Sequence, residues 1–446
     1  MGKTSKRLHK KMWSIHNWVG LYAGVVIAVL SITGVLALFK TEIDVGLNNE
    51  LYKVVVPENA VRMDVTPIID SLHLVYGDKN PVSVAVPKQP DDVWMYTTSY
   101  RKSALDFVGL QIFIDPYSGK VLGQRNYFKT LAYYIRNIHV RLYEGFFGRY
   151  LVGIAGLALL LSTITGFWIY GGFMKKQFFA SIRKKNLRIT MADYHKVIGI
   201  TTLVFNMVIA ITGTWLGLQG LIQKPLIGPR PGTYQVDEKP ISKEADAEIA
   251  VNYMDIYQRS RALFPEMEPS FIFVSSDGSR TISVRGDVPR TAIARTHFQL
   301  TLDKSDLSEL HRLDIRKEGL GTKLFYIQES MHFGDWGGIF LKIVYAFFGI
   351  TSGFLALTGF VVYLKRTERK QREKPKFVEL KPLLLRWTYS ILAGMALLLA
   401  LSLWFCVAIP TLVVVIALYG FLLFLLIRAI VLFFIRRMQR LKLRVR

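Results

Sequence analysis

The chain has 446 residues, 51% of them hydrophobic, a formal charge of +24 and a mean hydropathy of +0.28. The apolar excess excludes an ordinary soluble domain, and a single cysteine, Cys406, excludes an internal disulfide or a thiolate metal site. The positive charge is gathered beside apolar runs, which excludes nucleic acid as a partner and points to membrane lipid.

About 20 residues at 1.5 Å rise cross a ~30 Å hydrocarbon core. Six runs reach that length, near residues 19–39, 150–173, 197–218, 339–364, 383–408 and 411–435. The first follows a basic stretch, as a signal peptide would, but it is too long and no A-x-A site follows, so it reads as an uncleaved anchor. Lysines and arginines cluster before the first run, after the second, after the fourth and after the last. The positive-inside rule puts those four segments, and both termini, in the cytoplasm.

The expected parts in chain order begin with a tail and first span (1–39), an outer domain (40–136) and a second span (137–173). A basic loop (174–195), a third span (196–218), a second outer domain (219–330) and a fourth span (331–364) follow. Then come a loop (365–382), a hairpin of two spans (383–435) and a basic tail (436–446). Each outer segment reads as a small α+β domain. The first has an apolar-patterned stretch at 65–76, strands at 82–86, 93–98 and 109–114, and the turn Asp115-Pro116-Tyr117-Ser118-Gly119, after which the apolar pattern resumes. The second repeats the plan with a helix at 246–263 and strands at 270–275, 281–285 and 296–302. The expected fold is therefore an α-helical membrane protein with two inserted α+β domains. It arises by internal duplication of a helix–domain–helix unit, to which a C-terminal hairpin is appended, giving six spans.

Four histidines carry the chemistry. His16 and His195 lie 17 residues before Thr33-Gly34 and Thr212-Gly213 (33 − 16 and 212 − 195). His139 and His332 lie 26 before Thr165-Gly166 and Thr358-Gly359 (165 − 139 and 358 − 332). Topology puts His16 and His195 near the cytoplasmic face and His139 and His332 near the outer face, one from each unit at each level. A lone histidine at a helix end reads as interfacial. Two symmetric pairs on membrane helices suit two bis-histidine haems, because neutral imidazole is a good iron ligand and ionisable groups within membranes tend to be functional.

The outer-face helix leaves two options. It is too long to be all membrane, so it either projects outward or breaks near 145–148. Arg141 and Arg149, with Arg136, are candidate propionate partners for the outer haem, and Arg7, Lys11 and Lys196 for the inner one. His9, His73, His297 and His311 fall outside the repeat and read as solvated or satisfied residues. The Thr-Gly pairs and neighbouring glycines have two readings, close helix packing or room for a flat macrocycle. The sequence has no dinucleotide-binding fingerprint and no P-loop, so electrons must come from a separate donor.

At these residues the chain resembles the PepSY-associated transmembrane family. The resemblance is carried by His16-Asn17-Trp18-Val19-Gly20-Leu21 with Thr33-Gly34, by Tyr194-His195-Lys196-Val197-Ile198-Gly199 with Thr212-Gly213, by Ile138-His139 and by Met331-His332-Phe333-Gly334. The run Ile114-Asp115-Pro116-Tyr117-Ser118-Gly119-Lys120-Val121-Leu122 is similar to the closing strand-turn-strand of a PepSY domain. The second outer domain departs from it, with Asp303-Lys304-Ser305-Asp306 lacking the Pro and Gly.

The resemblance implies a bacterial inner-membrane oxidoreductase of the ferric-siderophore reductase type. It implies two b-type haems and periplasmic PepSY-like domains. Electrons would pass from a quinol or cytoplasmic donor to siderophore-bound iron(III), releasing iron(II). Two rivals stand beside this reading. One is a membrane-anchored PepSY module that binds peptides or restrains proteases without redox activity. The other is a transporter, disfavoured because no carboxylate lies mid-span.

Overall fold

The computed structural model describes residues 3–372 apart from 60, 77–81, 102–106, 143–144, 171–180, 233–251, 275–279 and 294. The expected hairpin at 383–435, the basic tail and Cys406 lie outside the described residues. Among the described residues four helices are long and apolar enough to cross a membrane: Lys6–Leu38, Gly148–Tyr170, Leu203–Pro225 and Asp335–Thr367. They are contained in α1 (Lys3–Leu38), α6 (Gly145–Tyr170), α8 (Leu203–Leu226) and, for the last, η-turn residues leading into α11 (Gly338–Arg372). Helix α7 (Leu187–Thr201) runs into α8 with an interruption at Thr202.

Helix α1 packs on α11 and α6, α6 packs on α8, and α11 packs on α7. Small residues bring α6 and α8 together. A Cβ at Gly217 would meet Gly153 Cα at 2.3 Å, and one at Gly156 would meet Thr214 N at 2.8 Å. Close helix packing is therefore the role of these glycines, since in hydrocarbon helices associate through backbone approach rather than hydrophobic burial.

Between the helices lies one eight-stranded antiparallel sheet in the order β4-β3-β2-β1-β5-β6-β7-β8. The first outer segment supplies β1 (Val82–Ala85), β2 (Trp94–Arg101), β3 (Phe107–Ile114) and β4 (Val121–Asn126). The second supplies β5 (Glu268–Val274), β6 (Thr281–Asp287), β7 (Phe298–Asp303) and β8 (Glu309–Leu313). Strand β8 has no counterpart among the strands expected from sequence. The apolar-patterned stretch of the first segment is the helix α4 (Thr66–Tyr76), and the helix expected in the second is α9 (Tyr253–Leu263).

The two segments, expected as separate domains, share the sheet. β1 pairs with β5 from Val82↔Val274 to Ala85↔Phe271. Their inward residues Val82, Val84, Ile272 and Val274 join a single core with Trp94, Tyr96, Ile256 and Phe264. Two four-stranded sheets would each leave an apolar edge open, and pairing closes both.

The closing turn survives loss of Pro and Gly in the second segment. Gly119 N donates to Asp115 O at 3.0 Å, and Leu307 N donates to Asp303 O at 3.0 Å. Asp115 Oδ1 accepts from Tyr117 N and Asp303 Oδ1 from Ser305 N, both at 2.8 Å. Leu307 takes the left-handed conformation (φ 56°) that Gly119 takes in the first turn (φ 70°).

A buried ion pair ties the end of α1 to the sheet through α2 (Lys40–Leu47) and α3 (Asn49–Tyr52). Arg125 of β4 donates to both carboxylate oxygens of Asp44, at 2.9 and 2.7 Å, and to Tyr52 Oη at 2.6 Å. Tyr52 Oη donates in turn to Asp44 Oδ2 at 2.7 Å. Burial and the Asp44 hydrogen bond push the Tyr52 phenol well above its ordinary range. Arg125→Leu leaves Asp44 buried without its partner and is expected to cost about 3–5 kcal/mol. The double variant Asp44→Leu/Arg125→Leu is expected to recover most of that loss in thermal unfolding of the detergent-solubilised protein.

Candidate functional site

Each sheet-side histidine stands on a short helix that ends just after it. His139 is in α5 (Leu131–Arg141), which stops at Leu142 in the left-handed conformation (φ 47°) before α6 starts at Gly145. His332 is in α10 (Leu320–Phe333), capped by Gly334 at φ 66° before α11 starts at Gly338. The over-long helix is therefore broken, not projecting. The break turns α5 back against α1 and α6, and α10 against α8.

The four histidines form the two pairs the spacing predicts. His16 and His195 face each other with ring centres 6.1 Å apart, at the level far from the sheet. His139 and His332 do so at 6.3 Å beside the sheet. A metal–imidazole bond of about 2.0–2.1 Å, plus ~1.2 Å from each ring nitrogen to its ring centre, puts axial imidazole centres about 6.4 Å apart. Both pairs match that separation. His139 meets α1 at Leu30 and Thr33, 14 to 17 residues beyond His16 (30 − 16 and 33 − 16). At 1.5 Å rise the two levels are about 21–26 Å apart.

The Thr-Gly pairs seat these rings. His16 Nδ1 is 3.0 Å from Ser162 O and from Thr165 Oγ1. His195 Nδ1 is 3.0 Å from Leu355 O and 3.1 Å from Thr358 Oγ1. His139 Nδ1 is 3.0 Å from Leu30 O and 3.4 Å from Thr33 Oγ1. His332 Nδ1 is 2.9 Å from Thr212 Oγ1. Carbonyls only accept, so three of the rings carry the proton on Nδ1. Thr212 spends its own hydrogen on Val208 O at 2.7 Å, so it too accepts, and His332 has the same tautomer. Among the described residues no hydrogen bond reaches Nε2 of any of the four rings, and in this tautomer that nitrogen carries the lone pair.

The glycines give the rings room. A Cβ at Gly34, Gly166, Gly213 or Gly359 would lie 2.8, 3.3, 3.2 or 3.1 Å from Cε1 of His139, His16, His332 or His195. The sequence singled out these glycines, but the group they accommodate is the imidazole of a neighbouring helix. Burial pushes His139 down to about 4 and His332 down to about 3, so both are neutral at neutral pH, the form that binds a metal.

The His16–His195 pair lines a cavity of about 650 Å³, within the ~300–1,000 Å³ usual for small-molecule and cofactor sites. Gly20, Gly24 and Gly199 widen its walls, in line with the second reading of the glycines. Asn206 and Ser352 also line it, joined by a Ser352 Oγ–Asn206 Oδ1 bond of 2.5 Å. Of the cations expected at this level, Lys196 lines the cavity, whereas Arg7 and Lys11 do not. Arg183, Arg188 and Arg366 are there instead. Charge counting along the sequence missed these three because they come from the 174–195 loop, α7 and the far end of α11. Arg183 holds Asp193 through two nitrogens at 2.8 Å.

Among the described residues no three His, Cys, Asp or Glu side chains cluster to hold a bare metal ion. The cavity lined by the His16 and His195 imidazoles has a cationic wall, which fits a group carrying carboxylates. At the sheet-side pair, Arg141 follows His139 by two residues, with a buried Nε that has no hydrogen-bond partner among the described residues. Arg149 instead donates to Leu216 O at 2.9 Å and Gln219 Oε1 at 3.2 Å, bracing α6 against α8. Lys40, not singled out from sequence, is half-buried near Arg136 and Arg295, and desolvation with those two cations lowers its pKa.

The chain belongs to the PepSY-associated transmembrane family: the family described as PepSY-associated TM region matches residues 13–366. That match takes in all four histidines, all four Thr-Gly pairs and the whole sheet. Curated proteins yield no match to the chain.

An ionic network brackets His332. Arg295 binds Asp335, lies 3.2 Å from Glu329 Oε1 and covers the Phe333 ring at 3.8 Å. His297 Nε2 approaches Glu329 Oε2 at 3.4 Å. Burial outweighs Glu329 and pushes His297 down to about 4, so at neutral pH this is a polar contact of a neutral ring, not an ion pair. A histidine depressed in the folded state stabilises above its unfolded pKa of about 6.5, and that stability is lost as pH falls toward 4. Thermal unfolding between pH 7 and 4.5 is expected to show a shallower acid loss for His297→Phe than for the wild type.

Proposed function

We propose that this chain is a di-haem electron-transfer protein of the inner membrane that reduces siderophore-bound iron(III) to iron(II) on the periplasmic side. It is the ferric-siderophore reductase type within its family. The observation that carries this reading is the pair of facing imidazole couples, each with Nδ1 anchored so that the lone pair falls on Nε2. An iron porphyrin held by these imidazoles would supply one-electron iron(III)/iron(II) chemistry, which suits electron transfer.

His16 and His195 would hold one haem b on the cytoplasmic side, and His139 and His332 the other on the periplasmic side. Lys196, Arg188 and Arg366 would meet carboxylates at the inner site, and Arg141 at the outer one. The sheet roofs the outer pair and would present the docking surface. A quinol or cytoplasmic reductase supplies the electron. The siderophore complex accepts it, and iron(II) leaves because hard oxygen donors hold it less tightly. The basic loops support cytoplasmic termini. The matched seats, matched breaks and mirrored strand order support duplication of one unit, and the hairpin expected at 383–435 would complete six spans.

A reduced-minus-oxidised spectrum with haem and protein assays is expected to give two b-type haems per chain. His16→Ala and His139→Ala are each expected to remove one. His139→Ala is also expected to abolish ferric-siderophore reduction in proteoliposomes. A wild-type protein without reducible haem absorbance would refute the proposal, and full activity in His139→Ala would leave the peptide-binding anchor in its place.

A further inference from the structure

The four histidine seats differ in how much of the hydrogen bonding falls on the threonine. At the sheet-distal level, His16 and His195 each have a carbonyl and a threonine hydroxyl at 3.0–3.1 Å. His139 has a firm carbonyl at 3.0 Å and only a marginal hydroxyl at 3.4 Å. His332 has Thr212 Oγ1 at 2.9 Å and no second Nδ1 acceptor among the described residues.

We infer that Thr165, Thr358 and Thr212 are positioning residues that set the ligand strength of their histidines, and that His332 depends on Thr212 most of all. The inference rests on the reading of both pairs as iron ligands. An acceptor at Nδ1–H makes the imidazole more basic at Nε2 and fixes the ring plane, so it favours iron(III) over iron(II) and lowers the reduction potential of that site. Each threonine is held in turn by its own helix: Thr165 donates to Leu161 O at 2.6 Å, Thr212 to Val208 O at 2.7 Å and Thr358 to Leu355 O at 3.0 Å. The lone pair offered to each histidine therefore has a set direction. The adjacent glycine leaves the space the ring occupies, since a Cβ at Gly166, Gly213 or Gly359 would lie 3.3, 3.2 or 3.1 Å from the ring's Cε1.

The seats also explain the spacing. Thr33 receives His139 and Thr165 receives His16, so within the first half α1 carries a ligand at one level and a seat at the other, while α5 carries the second ligand and α6 its partner's seat. Thr212 and Thr358 do the same for His332 and His195.

The test is a spectroscopic redox titration of the purified haem-loaded protein, with the two components assigned by His16→Ala and His139→Ala. Thr→Val keeps the shape and removes the hydroxyl. T165V and T358V are expected to raise the midpoint of the component that His16→Ala removes. T212V is expected to raise the other component, by more than either of them, and T33V to move it least. Thr212→Ser is expected to restore the wild-type midpoint. Should T212V lose its haem, retention by T212S upholds the inference, and loss by both overturns it in favour of methyl packing. Unmoved midpoints in all four valine variants with haem retained would overturn this inference and leave the di-haem reading standing. A wild-type protein without haem would end both.

Discussion

The structure depends on the hydrogen bond that each buried imidazole makes through Nδ1 to the backbone or threonine of another helix. A polar ring in an apolar bundle costs free energy unless its N–H finds an acceptor, and most helix carbonyls are engaged along their own helix. Threonine solves this locally. By turning its hydroxyl onto its own helix it offers a lone pair outward, and the carbonyl three residues earlier lies beside it in three of the four seats. Tautomer, ring direction and the orientation of Nε2 all follow from that contact. So do the helix breaks after His139 and His332, because a ring carried by a continuous span could not reach a seat on α1 or α8.

The facing pairs join the two halves of the chain, so the site exists only if the halves dock. Docking has two parts. In the bundle, α1 packs on α11 and α6 on α8, with Gly153 and Gly217 in backbone contact. Outside it, β1 and β5 zip the two outer segments into one sheet with one core. The Asp44–Arg125–Tyr52 cluster couples these parts by tying the chain that leaves α1 to the sheet's β4 edge. Rigid outer scaffolding of this kind holds ligands from different helices at a fixed separation, which a bis-ligated centre needs.

Charge is arranged to match. The cations lining the cavity around His16 and His195 come from three separate stretches of chain, and those near His139 include a buried arginine nitrogen without an acceptor among the described residues. A buried cationic nitrogen of this sort is costly unless an anion meets it, whereas at the other level Arg183 already pairs with Asp193.

The sequence by itself determined the four described spans through hydropathy, most strands through alternation, and the histidine pairing through matched spacing, because each of these is a periodic or local property of the chain. It also preserved the closing turn in the second segment, where Asp303 and Leu307 do what Asp115 and Gly119 do in the first. Tertiary structure alone decided that the outer segments merge at β1 and β5, since pairing between strands almost two hundred residues apart has no local signature. It decided that the Thr-Gly pairs seat imidazoles, because Thr33 and His139 lie on different helices and meet only after α5 folds back. It decided, too, which cations line the cavity, since Arg183, Arg188 and Arg366 converge only once α7 and α11 are packed together.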